Sequence, residues 1–364
     1  MVKVLHYVGV MKRAGLETFI MNMYRKLDLK KFQFGFLCTI DERGDYEEEI
    51  LNLGGEIFHV SLNKTKGKLR HIKNYFILRQ ELKKLSVKYD VFHVHHYHAF
   101  DAYIAAKAAI SAGFKKVIVH SHSDSTDNHF RLHAFFKHKL SRLNITKIGC
   151  SQQAANWMFD SSDFILKNGI DTQHFKFDLE IRNSMREKYG LKNEVVWGHV
   201  GRFDPVKNHD FLIKLFSYYY IQHPNSKLVL IGDGYEKQRI IEMCEKIGLR
   251  NSVIFAGIQN DVSPFYQMMD VYLMPSIYEG VSLTAVEAEC SGLPCVFSST
   301  ISKEIDLRNN VLHCSLNKGF DVWIQAVNSL LIKDNPREKA YEDIIKKGYD
   351  VKSTCSQLMK IYER

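Results

Sequence analysis

The feature that most constrains the fold is an alternation of short apolar runs with longer amphipathic runs, which is repeated in both halves of the chain. In the first half, runs typical of β-strands occupy residues 2–8, 34–39, 56–60, 91–95, 116–120 and 147–150. After Asp171 the pattern restarts, with runs at residues 195–200, 227–231, 252–255, 271–274, 295–298 and 311–314. Strand–helix–strand units form parallel sheets, so the sequence predicts an α/β protein with two doubly wound, Rossmann-like domains.

The boundary between the two domains is predicted inside the segment 164–175, FILKNGIDTQHF, because its Asn168-Gly169 pair is a turn signal. We therefore assign residues 1–168 to a first domain and residues 169–340 to a second. Residues 341–364 have a helical pattern with no strand after them, and we expect this terminal helix to pack back on the first domain. Ligands of such sheets bind at the carboxyl ends of the strands, so the loops that follow the strands are expected to line a cleft.

The excess of positive charge is confined to the first half of the chain. Residues 1–170 contain 26 Lys and Arg against 16 Asp and Glu, whereas residues 171–364 contain 24 against 25. A basic first domain suggests an anionic partner. The candidates are a nucleic acid, a phosphorylated ligand and an acidic membrane surface. No recognised nucleic-acid module is present, so we expect no nucleic-acid partner.

The composition is typical of a folded cytoplasmic protein. Hydrophobic residues make up 45% of the 364 residues and only 6 prolines occur, which excludes collagen-like and disordered classes. We expect neither a signal peptide nor a transmembrane helix, because no cleavage-site pattern and no run of about 18 apolar residues is present. The seven cysteines form no C-x-x-C pair, so neither a disulfide framework nor a zinc–cysteine site is predicted.

The segment 274–298, MPSIYEGVSLTAVEAECSGLPCVFS, is the richest in candidate functional residues. A strand ends at Met274, a loop carries Glu279, and a helix is predicted from about residue 282 to residue 291, with Glu287 near its start. The backbone N–H groups that precede this helix are those of Gly280, Val281 and Ser282. Such groups at a helix start commonly hold phosphates, so we expect an anion in front of this helix.

The two glutamates of this segment also have purely structural explanations. Thr284 and Glu287 have the spacing of a capping box, in which the carboxylate returns to the backbone at the helix start. Glu279 can be a solvated loop acid. For the helix taken alone, these structural explanations are the favoured ones.

Two further loops carry candidate residues of the second domain. In HVGRFDPVKNHDFL a strand ends at Gly201, and Arg202 and Lys207 follow in the loop. Two cations at a carboxyl strand end suit a diphosphate, although a charge-rich surface loop explains them too. In LVLIGDGYEKQ a dinucleotide fingerprint would need its third glycine at position 237, where Lys237 stands, so an NAD site is disfavoured.

Taken together, these motifs resemble the retaining glycosyltransferases of family 4, which have the GT-B fold. In the second half the resemblance rests on GRFDPVKNHDFL, LIGDGYEKQRI, NSVIFAGIQNDVSPFYQMMDVYLMPSIYEG and SLTAVEAECSGLPCV. In the first half it rests on MKRAGLETFIMNMYRKLD, DVFHVHHYHAFDAYIAAKAA and VIVHSHSD. The segments match in order over nearly the whole chain, and the two glutamates eight residues apart are the most specific element. The chain looks most similar to transferases that build capsular or exported polysaccharides.

The resemblance implies a role for each charged candidate of the second domain. Glu279 would contact hydroxyls of the donor sugar, and Glu287 would hold the ribose of the nucleotide. Arg202 and Lys207 would bind the pyrophosphate and offset the charge that develops as the nucleoside diphosphate leaves.

The resemblance also assigns backbone contacts and residues of the first domain. The backbone at Gly257 and Ile258 would read the base. Gly15 would let the chain approach the phosphates closely, although the family often has two adjacent glycines where this chain has an alanine followed by Gly15. His122 would contact the transferred sugar near its reacting carbon, with His120 as the alternative.

Histidines are concentrated in HVHHYH, which begins at His93, and in HSH, which begins at His120. His93 and His95 share a face of their strand, so a metal site is conceivable, but it would need a third ligand and a second shell. Imidazoles at strand ends more often form local hydrogen bonds or contact a ligand. The chain also has no D-x-D triplet, which sugar transferases of the other main fold use to hold a metal-bound diphosphate. We therefore predict no metal site and no cofactor.

A basic amphipathic segment spans residues 64–88 and contains nine basic residues against one acidic residue. Its first five cations are Lys64, Lys66, Lys68, Arg70 and Lys73. A second basic and aromatic patch is HFRLHAFFKHKLSRL. In both, the apolar residues can simply cover the sheet while the lysines are solvated. The alternative is docking to an anionic membrane, where each basic residue adds about 1 kcal/mol.

The sequence thus predicts a retaining, metal-independent hexosyltransferase of capsular polysaccharide, exopolysaccharide or O-antigen synthesis. We expect its donor to be a nucleotide sugar, with a UDP-sugar favoured, and its acceptor to be a saccharide linked to polyprenyl pyrophosphate. We expect the protein to be cytoplasmic and peripheral on the inner face of the cell membrane, bound to an anionic membrane surface. Two alternatives stay open, which are a nucleotide-sugar epimerase on the same fold and a non-catalytic, membrane-associated binder of sugar nucleotides.

Overall fold

The structure, a computed structural model, describes residues 1–62, 70–123, 130–333 and 335–364. The chain divides into two compact units. The first comprises Met1–Gly169 together with Val351–Arg364, and the second comprises Ile170–Asp350. Each unit contains one sheet, and within each sheet the paired strands run parallel.

The first unit is built on a seven-stranded sheet. Its strands are β1 (Val2–Val8), β2 (Phe32–Cys38), β3 (Glu56–His59), β4 (Val91–His96), β5 (Lys116–Ser121), β6 (Thr146–Gly149) and β7 (Phe164–Ile165). Their spatial order is β3-β2-β1-β4-β5-β6-β7. The helices between them are α1 (Gly15–Lys26), α2 (Glu47–Asn52), α3 (Arg70–Leu85), α4 (Ala99–Ala112), α5 (Phe130–Ser141) and α6 (Gln152–Met158).

The second unit has a six-stranded sheet with the corresponding order, β10-β9-β8-β11-β12-β13. Its strands are β8 (Val195–Val200), β9 (Ser226–Ile231), β10 (Val253–Gly257), β11 (Val271–Met274), β12 (Cys295–Ser298) and β13 (Val311–Cys314). Its helices are α7 (Thr172–Phe175), α8 (Leu179–Lys188), α9 (His209–Gln222), α10 (Lys237–Lys246), α11 (Ser263–Met268), α12 (Leu283–Cys290), α13 (Phe320–Ile332) and α14 (Ala340–Lys346). The prediction of two doubly wound α/β domains is confirmed.

The strands form where the sequence is apolar without interruption, because helices cover a parallel sheet on both faces. In β8 only Val195 is partly exposed, and the rest of the strand, including Trp197, is buried. Strand β7 was not predicted. It lies inside the segment predicted as the domain boundary and is two residues long, too short for a periodic pattern, but Phe164 pairs with Ile148 of β6.

In each sheet the direction of winding reverses between two neighbouring strands, β1 and β4 in the first sheet and β8 and β11 in the second. The loops that follow such a pair diverge and leave a crevice, where open α/β sheets bind their ligands. In the second unit these two loops carry Arg202 and Lys207, after β8, and Glu279, after β11. The topology therefore places the charged candidates on the two loops that border the crevice.

The last helix, α15 (Val351–Glu363), belongs to the first unit although it follows the second in sequence. It packs against α1, and its residues Leu358, Ile361 and Tyr362 are buried. The Tyr362 hydroxyl lies 2.8 Å from His93 Nδ1, and the Tyr362 ring meets Phe34 edge-on with centroids 6.1 Å apart. Strands β2 and β4 are thus both in contact with the end of this helix.

Residues 341–350 differ from the prediction of one terminal helix from residue 341. They include most of α14 and a turn at Gly348, whose φ of 80° ends the helix, and they lie in the second unit. The reason is packing, because Ile344 is fully buried and α14 contacts α12. The helix that joins the first unit begins at Val351.

Replacing Leu358 with alanine is expected to destabilise the first unit. This side chain is 2% exposed, and truncating a buried leucine costs about 2–5 kcal/mol of the free energy of unfolding. Gln357, which is exposed on the same helix, is the matched control, and Gln357→Ala should change that free energy by less than about 0.5 kcal/mol. Urea denaturation of the full chain measures both variants. Equal effects would contradict the packing of α15.

Candidate functional site

Arg202 and Lys207 lie in the loop between β8 and α9. The Asp204 carboxylate organises this loop, because it accepts a hydrogen bond from the Lys207 backbone N–H at 3.2 Å and another from Arg202 Nε at 2.8 Å. The Arg202 side chain is 72% exposed, whereas Asp204 is buried. The guanidinium is therefore restrained through one nitrogen while most of its surface faces solvent.

An ion pair joins Lys207 to Glu279 and connects the loop after β8 with the loop after β11. The two side chains are 19% and 13% exposed, so the pair is largely withdrawn from water. Ser276 Oγ donates a hydrogen bond to the same carboxylate oxygen, Oε1, at 2.9 Å. The structure thus brings two predicted site residues from different strand ends into direct contact.

Hydrogen bonds to the backbone hold these two loops together. The Ile277 N–H donates to the Val206 carbonyl at 2.8 Å, and the Asn208 side-chain amide donates to the Pro275 carbonyl at 3.1 Å. Asn208 has a left-handed backbone conformation, φ 56°, which asparagine tolerates better than most residues. The approach of Lys207 to Glu279 is therefore fixed by the backbone as well as by the charges.

The Gly232-Asp-Gly234 turn packs against the loop that carries Arg202. A Cβ on Gly232 would lie 2.1 Å from the Gly201 carbonyl oxygen, and a Cβ on Gly234 would lie 2.3 Å from the Phe203 carbonyl oxygen. Both glycines also have positive φ angles, of 133° and 158°. Close contact between two loops explains this glycine motif, without a dinucleotide.

Glu287 is buried in α12, where its carboxyl group accepts a hydrogen bond from the Tyr266 hydroxyl at 2.9 Å. The capping-box explanation is wrong, because α12 starts at Leu283 with Ser282 as its N-cap, and the described chain forms no side-chain capping hydrogen bond there. Burial raises the pKa of Glu287 to about 8, since desolvation disfavours the carboxylate. A protonated carboxyl group can both donate and accept hydrogen bonds, which suits a polyhydroxyl ligand.

The other predicted residues of the second unit also lie in loops at strand ends. The loop that leads into α12 contains Gly280, Val281 and Ser282. Gly257 ends β10 with a φ of 70°, and its carbonyl accepts a hydrogen bond from the Gly232 N–H at 2.9 Å. Ile258, the next residue, is 66% exposed. The contacts of these residues with a nucleotide stay predictions.

His122 follows β5 in the first unit, and its Nε2 lies 3.0 Å from His95 Nδ1 on the neighbouring strand. Its side chain is partly exposed, whereas His120 is fully buried. Burial lowers the pKa of His122 to about 3, so the ring is neutral at physiological pH. Between the two alternatives, exposure favours His122 as the residue that contacts a ligand.

Gly15 is the first residue of α1, at the end of the loop after β1. A Cβ on Gly15 would meet no atom of the described residues within 4 Å. Packing therefore does not require this glycine. The phosphate contact of Gly15 stays a prediction.

Of the basic segment, Lys64, Lys66 and Lys68 lie outside the residues that the structure describes. Arg70 and Lys73 are exposed on the first turn of α3, beside Ile72 and Phe76, which are 56% and 59% exposed. The buried residues of this helix are Leu78, Leu82 and Leu85. Packing on the sheet thus explains the apolar residues in the C-terminal half of α3 only. The first half of the helix exposes cations and large apolar side chains to solvent.

Helix α5 packs against α4, as α3 does, and also exposes aromatic and basic side chains. Phe130 and Phe135 are 64% and 56% exposed, and the Lys139 ammonium lies 4.5 Å from the centre of the Phe135 ring. Phe136 instead packs against Phe100 of α4, with ring centroids 4.7 Å apart. We call the exposed residues Arg70, Ile72, Lys73, Phe76, Phe130, Phe135 and Lys139 the basic–aromatic face. Across the described part of the chain, no helix combines the length and the apolarity needed to cross a membrane.

Sequence patterns missed three residues that position the candidates. Asp204 holds the loop of the two cations, Ser276 donates to Glu279, and Tyr266 donates to Glu287. Asp204 has a local signal, because an aspartate before a proline is a common start for a helical turn. Tyr266 has none, since it lies 21 residues from its partner.

Two protein families match the chain in sequence. Residues 13–174 match Glycosyltransferase Family 4, and residues 181–347 match Glycosyl transferases group 1. The two matched regions fall in the first and the second unit, apart from a few residues at the junction. Together they span most of the chain.

Individual proteins match over most of their length. EpsF of Bacillus subtilis (strain 168), whose name places it among the glycosyltransferases but states no donor or acceptor, is 32% identical over 99% of this chain and 96% of its own. The Escherichia coli protein named UDP-Gal:alpha-D-GlcNAc-diphosphoundecaprenol alpha-1,3-galactosyltransferase is 23% identical over 90% of this chain and 85% of its own. The crystal structure of HepE from Anabaena in complex with UDP-glucose has the same fold, with a TM-score of 0.78 at 18% identity and full coverage of both chains.

Replacing Glu287 with glutamine is expected to change how stability depends on pH. The pKa of this carboxyl group rises from 4.5 to about 8 on folding, so the folded protein keeps a proton that the unfolded chain releases. The contribution of Glu287 to stability therefore falls as pH rises from about 5 to 8, and the variant lacks this loss. Its free energy of unfolding should gain about 1 kcal/mol relative to wild type for each pH unit in that range.

Urea denaturation of both proteins at several pH values between 5 and 8 measures this difference. The glutamine keeps an acceptor for the Tyr266 hydroxyl, and the other buried acid of the helix, Glu289, is present in both proteins and cancels. A difference that does not vary with pH would contradict the raised pKa.

Proposed function

The chain belongs to the glycosyltransferases of family 4, has their GT-B fold and acts on nucleotide sugars, and from this premise we propose that it is a retaining hexosyltransferase. The proposed donor is a UDP-sugar, and the proposed acceptor is a saccharide linked to polyprenyl pyrophosphate. The proposed setting is capsular polysaccharide, exopolysaccharide or O-antigen synthesis on the cytoplasmic face of the cell membrane. The proposed reaction needs no metal ion.

The observation that carries the proposal is the contact of Lys207 with Glu279 at the strand ends where the second sheet reverses its winding. A nucleotide sugar presents a diphosphate directly beside a ring of hydroxyl groups. Its site therefore needs a cation and a hydrogen-bond acceptor next to each other. The ammonium supplies donors to phosphate oxygens, and the carboxylate accepts from sugar hydroxyls.

Lys207 can serve the ligand without leaving its partner. An ammonium group has three N–H donors, so one can stay on Glu279 while another donates to a phosphate oxygen. Both contacts of Glu279, from Lys207 and from Ser276, use Oε1. In the proposed complex Oε2 accepts from the sugar. The ion pair would thus be retained on binding, while the ammonium also contacts the phosphate and the carboxylate also contacts the sugar.

Arg202 completes the proposed diphosphate site. Asp204 fixes its Nε, and the remaining N–H groups of the guanidinium can bind phosphate oxygens in a bidentate manner. Hydrogen bonds between charged partners contribute roughly 1.5–3 kcal/mol each. Because Asp204 and Glu279 already bind these two cations, the donors would act on developing charge with little reorganisation.

Glu287 is proposed to bind the ribose, with the backbone at Gly257 and Ile258 next to the base. The hydrogen bond from Tyr266 restrains the orientation of the carboxyl group before the nucleotide arrives. Uridine as the base is supported by two comparisons, since HepE was crystallised with UDP-glucose and the Escherichia coli relative is named for UDP-Gal. That relative is also named for a diphosphoundecaprenol acceptor, which supports a lipid-linked acceptor here.

In the proposed reaction, the bond between the anomeric carbon and the leaving phosphate oxygen breaks while the acceptor hydroxyl oxygen bonds to the same carbon from the same face. The acceptor proton passes to the leaving phosphate oxygen. Negative charge grows on the diphosphate during this step, and Arg202 and Lys207 offset it. His122, with a neutral ring, is assigned the contact with the transferred sugar.

The basic–aromatic face is proposed to bind an anionic membrane surface, where a lipid-linked acceptor resides. Exposed aromatic rings enter the interface between headgroups and acyl chains, and nearby cations bind anionic lipids. Ile72 and Phe76 on α3, with Phe130 and Phe135 on α5, would supply the apolar contacts. Arg70 adds to the positive charge of this face.

Lys207→Ala and Glu279→Gln are each expected to reduce transfer by about 100- to 1,000-fold, as removal of one group that stabilises a transition state does elsewhere. Lys214→Ala is the matched control, because Lys214 is an exposed lysine on α9 and should leave turnover unchanged. The assay combines UDP-sugars with a lipid-linked acceptor and analyses the product by mass spectrometry, with NMR for its anomeric configuration.

Unchanged turnover in both site variants would overturn the site assignment. An inverted product anomer would overturn the retaining mechanism. Conversion of the donor sugar into its epimer without consumption of the acceptor would identify an epimerase instead. Nucleotide binding without turnover on any acceptor would identify a non-catalytic binder.

Reversing two charges, in the double variant Arg70→Glu and Lys73→Glu, is expected to weaken binding to anionic vesicles at least about tenfold. The control reverses Lys214 and Lys346, two exposed lysines of the second unit, and should leave that binding unchanged. Vesicle flotation with and without an anionic lipid measures both. Equal binding of the wild type to neutral vesicles would contradict the electrostatic part of the proposal.

A further inference from the structure

Four histidines form a compact block in the sheet of the first unit. His6 of β1 lies opposite His93 of β4, and His95 of β4 lies opposite His120 of β5. Residues two apart on a strand share a face, so the four side chains emerge on the same side of the sheet. None of the four is more than 4% exposed.

Several ring nitrogens of this block have no hydrogen-bond partner among the described residues. They include Nε2 of His93, the atom that the site proposed below would use, whereas His6 would bind there through Nδ1, which lies 2.9 Å from His95 Nε2. Buried polar atoms are normally satisfied, and each exception calls for a physical reason such as an ion.

We propose that His6, His93 and His95 bind one divalent transition-metal ion, with Zn²⁺ as the representative. One ligand atom from each of these side chains lies within 4.8 Å of the others. The sequence alone predicted no metal site, because a third ligand and a second shell were not visible in it. The sheet register supplies His6 as the third ligand, and none of the three ligands is a residue assigned to the proposed transferase chemistry.

Hydrogen bonds already orient two of the three ligands. The Tyr362 hydroxyl lies 2.8 Å from His93 Nδ1, and His122 Nε2 lies 3.0 Å from His95 Nδ1. Each contact engages the Nδ1 side of a ring and directs Nε2 to the site. Metal-binding histidines usually have such a partner on their second nitrogen.

The spacing of two of the three rings, those of His6 and His95, is close to what a tetrahedral ion needs. His6 Nδ1 and His95 Nε2 are 2.9 Å apart, and zinc–nitrogen bonds of about 2.0–2.1 Å would separate two ligands by about 3.3 Å. An opening of a few tenths of an ångström therefore suffices.

The chemistry of the ligands selects the class of ion. The three ligand atoms are imidazole nitrogens, and no carboxylate belongs to the group. Neutral nitrogen ligands without carboxylates favour Zn²⁺, Cu²⁺, Ni²⁺ or Co²⁺ over Mg²⁺ and Ca²⁺.

A second group, His95 with His120 and His122, also brings its ring nitrogens within 4.8 Å of one another. We assign the ion to the first group because His93 has a second-shell hydroxyl in place and because His122 is needed at the sugar in the proposed transferase. Bound there, the ion would join β1 and β4 and, through Tyr362, the terminal helix. Its expected effect is on the stability of the first unit.

The test uses the full chain without a histidine tag, stripped with a chelator, incubated with Zn²⁺ and desalted. We expect about one zinc per chain by elemental analysis and a rise in melting temperature on zinc addition. With Co²⁺ we expect visible absorption typical of tetrahedral coordination. A wild-type chain that retains no ion and shows no shift overturns the proposal.

Variants locate the ion. His93→Leu should abolish retention, whereas the matched control His120→Leu, also a buried histidine of the block, should keep it. Tyr362→Phe removes only the second-shell hydroxyl and should weaken zinc binding about 10- to 100-fold. If His93→Leu does not fold, the zinc affinity of Tyr362→Phe tests the location of the ion instead. Retention by His93→Leu together with loss by His120→Leu, or wild-type affinity in Tyr362→Phe, would overturn the assignment. Metal content is read independently of turnover, so failure here leaves the transferase proposal standing.

Discussion

The ion pair between Lys207 and Glu279 is the interaction on which the rest of the candidate site depends. Each side chain is less than one-fifth exposed, and either charge alone would be poorly solvated. Each therefore neutralises the other while the hydrogen bond from Ile277 to Val206 keeps their loops together. A ligand with an anionic diphosphate beside neutral hydroxyls matches both members of the pair. A purely apolar or purely cationic ligand would leave one of them without compensation.

The topology of the sheet makes this pair possible. Strands β8 and β11 are neighbours although about 70 residues separate them, so the loops at their ends meet where the winding reverses. Gly232 lets a third loop pack against the one that carries Arg202, because any Cβ there would strike the Gly201 carbonyl. The scaffold thus holds Lys207 and Glu279 in place and restrains Arg202 through its Nε before any ligand arrives, which favours electrostatic stabilisation of a leaving group.

Much of this arrangement could be predicted from the sequence, because a parallel strand that is buried on both faces consists of an uninterrupted run of apolar residues. The strands at both winding reversals were predicted, and with them the loops of Arg202, Lys207 and Glu279. The hydrogen bond of Tyr266 to Glu287 could not be predicted, since neither residue has a local signal for the other. Of the histidine group, only His93 and His95 could be predicted to lie together, because they are two residues apart on one strand. His6 lies beside His93 because their strands pair, and the sequence spacing does not show this. The two-residue strand β7 is too short for any periodicity.

The claim that the strand-end loops hold a nucleoside diphosphate is tested most directly by isothermal titration calorimetry with UDP and with uridine. We predict that the wild type binds UDP at least about tenfold more tightly than uridine, because the diphosphate adds hydrogen bonds between charged groups. Arg202→Ala should weaken UDP binding about tenfold or more and leave uridine binding unchanged. Equal wild-type affinities for UDP and uridine, or equal losses of both in the variant, would contradict the claim.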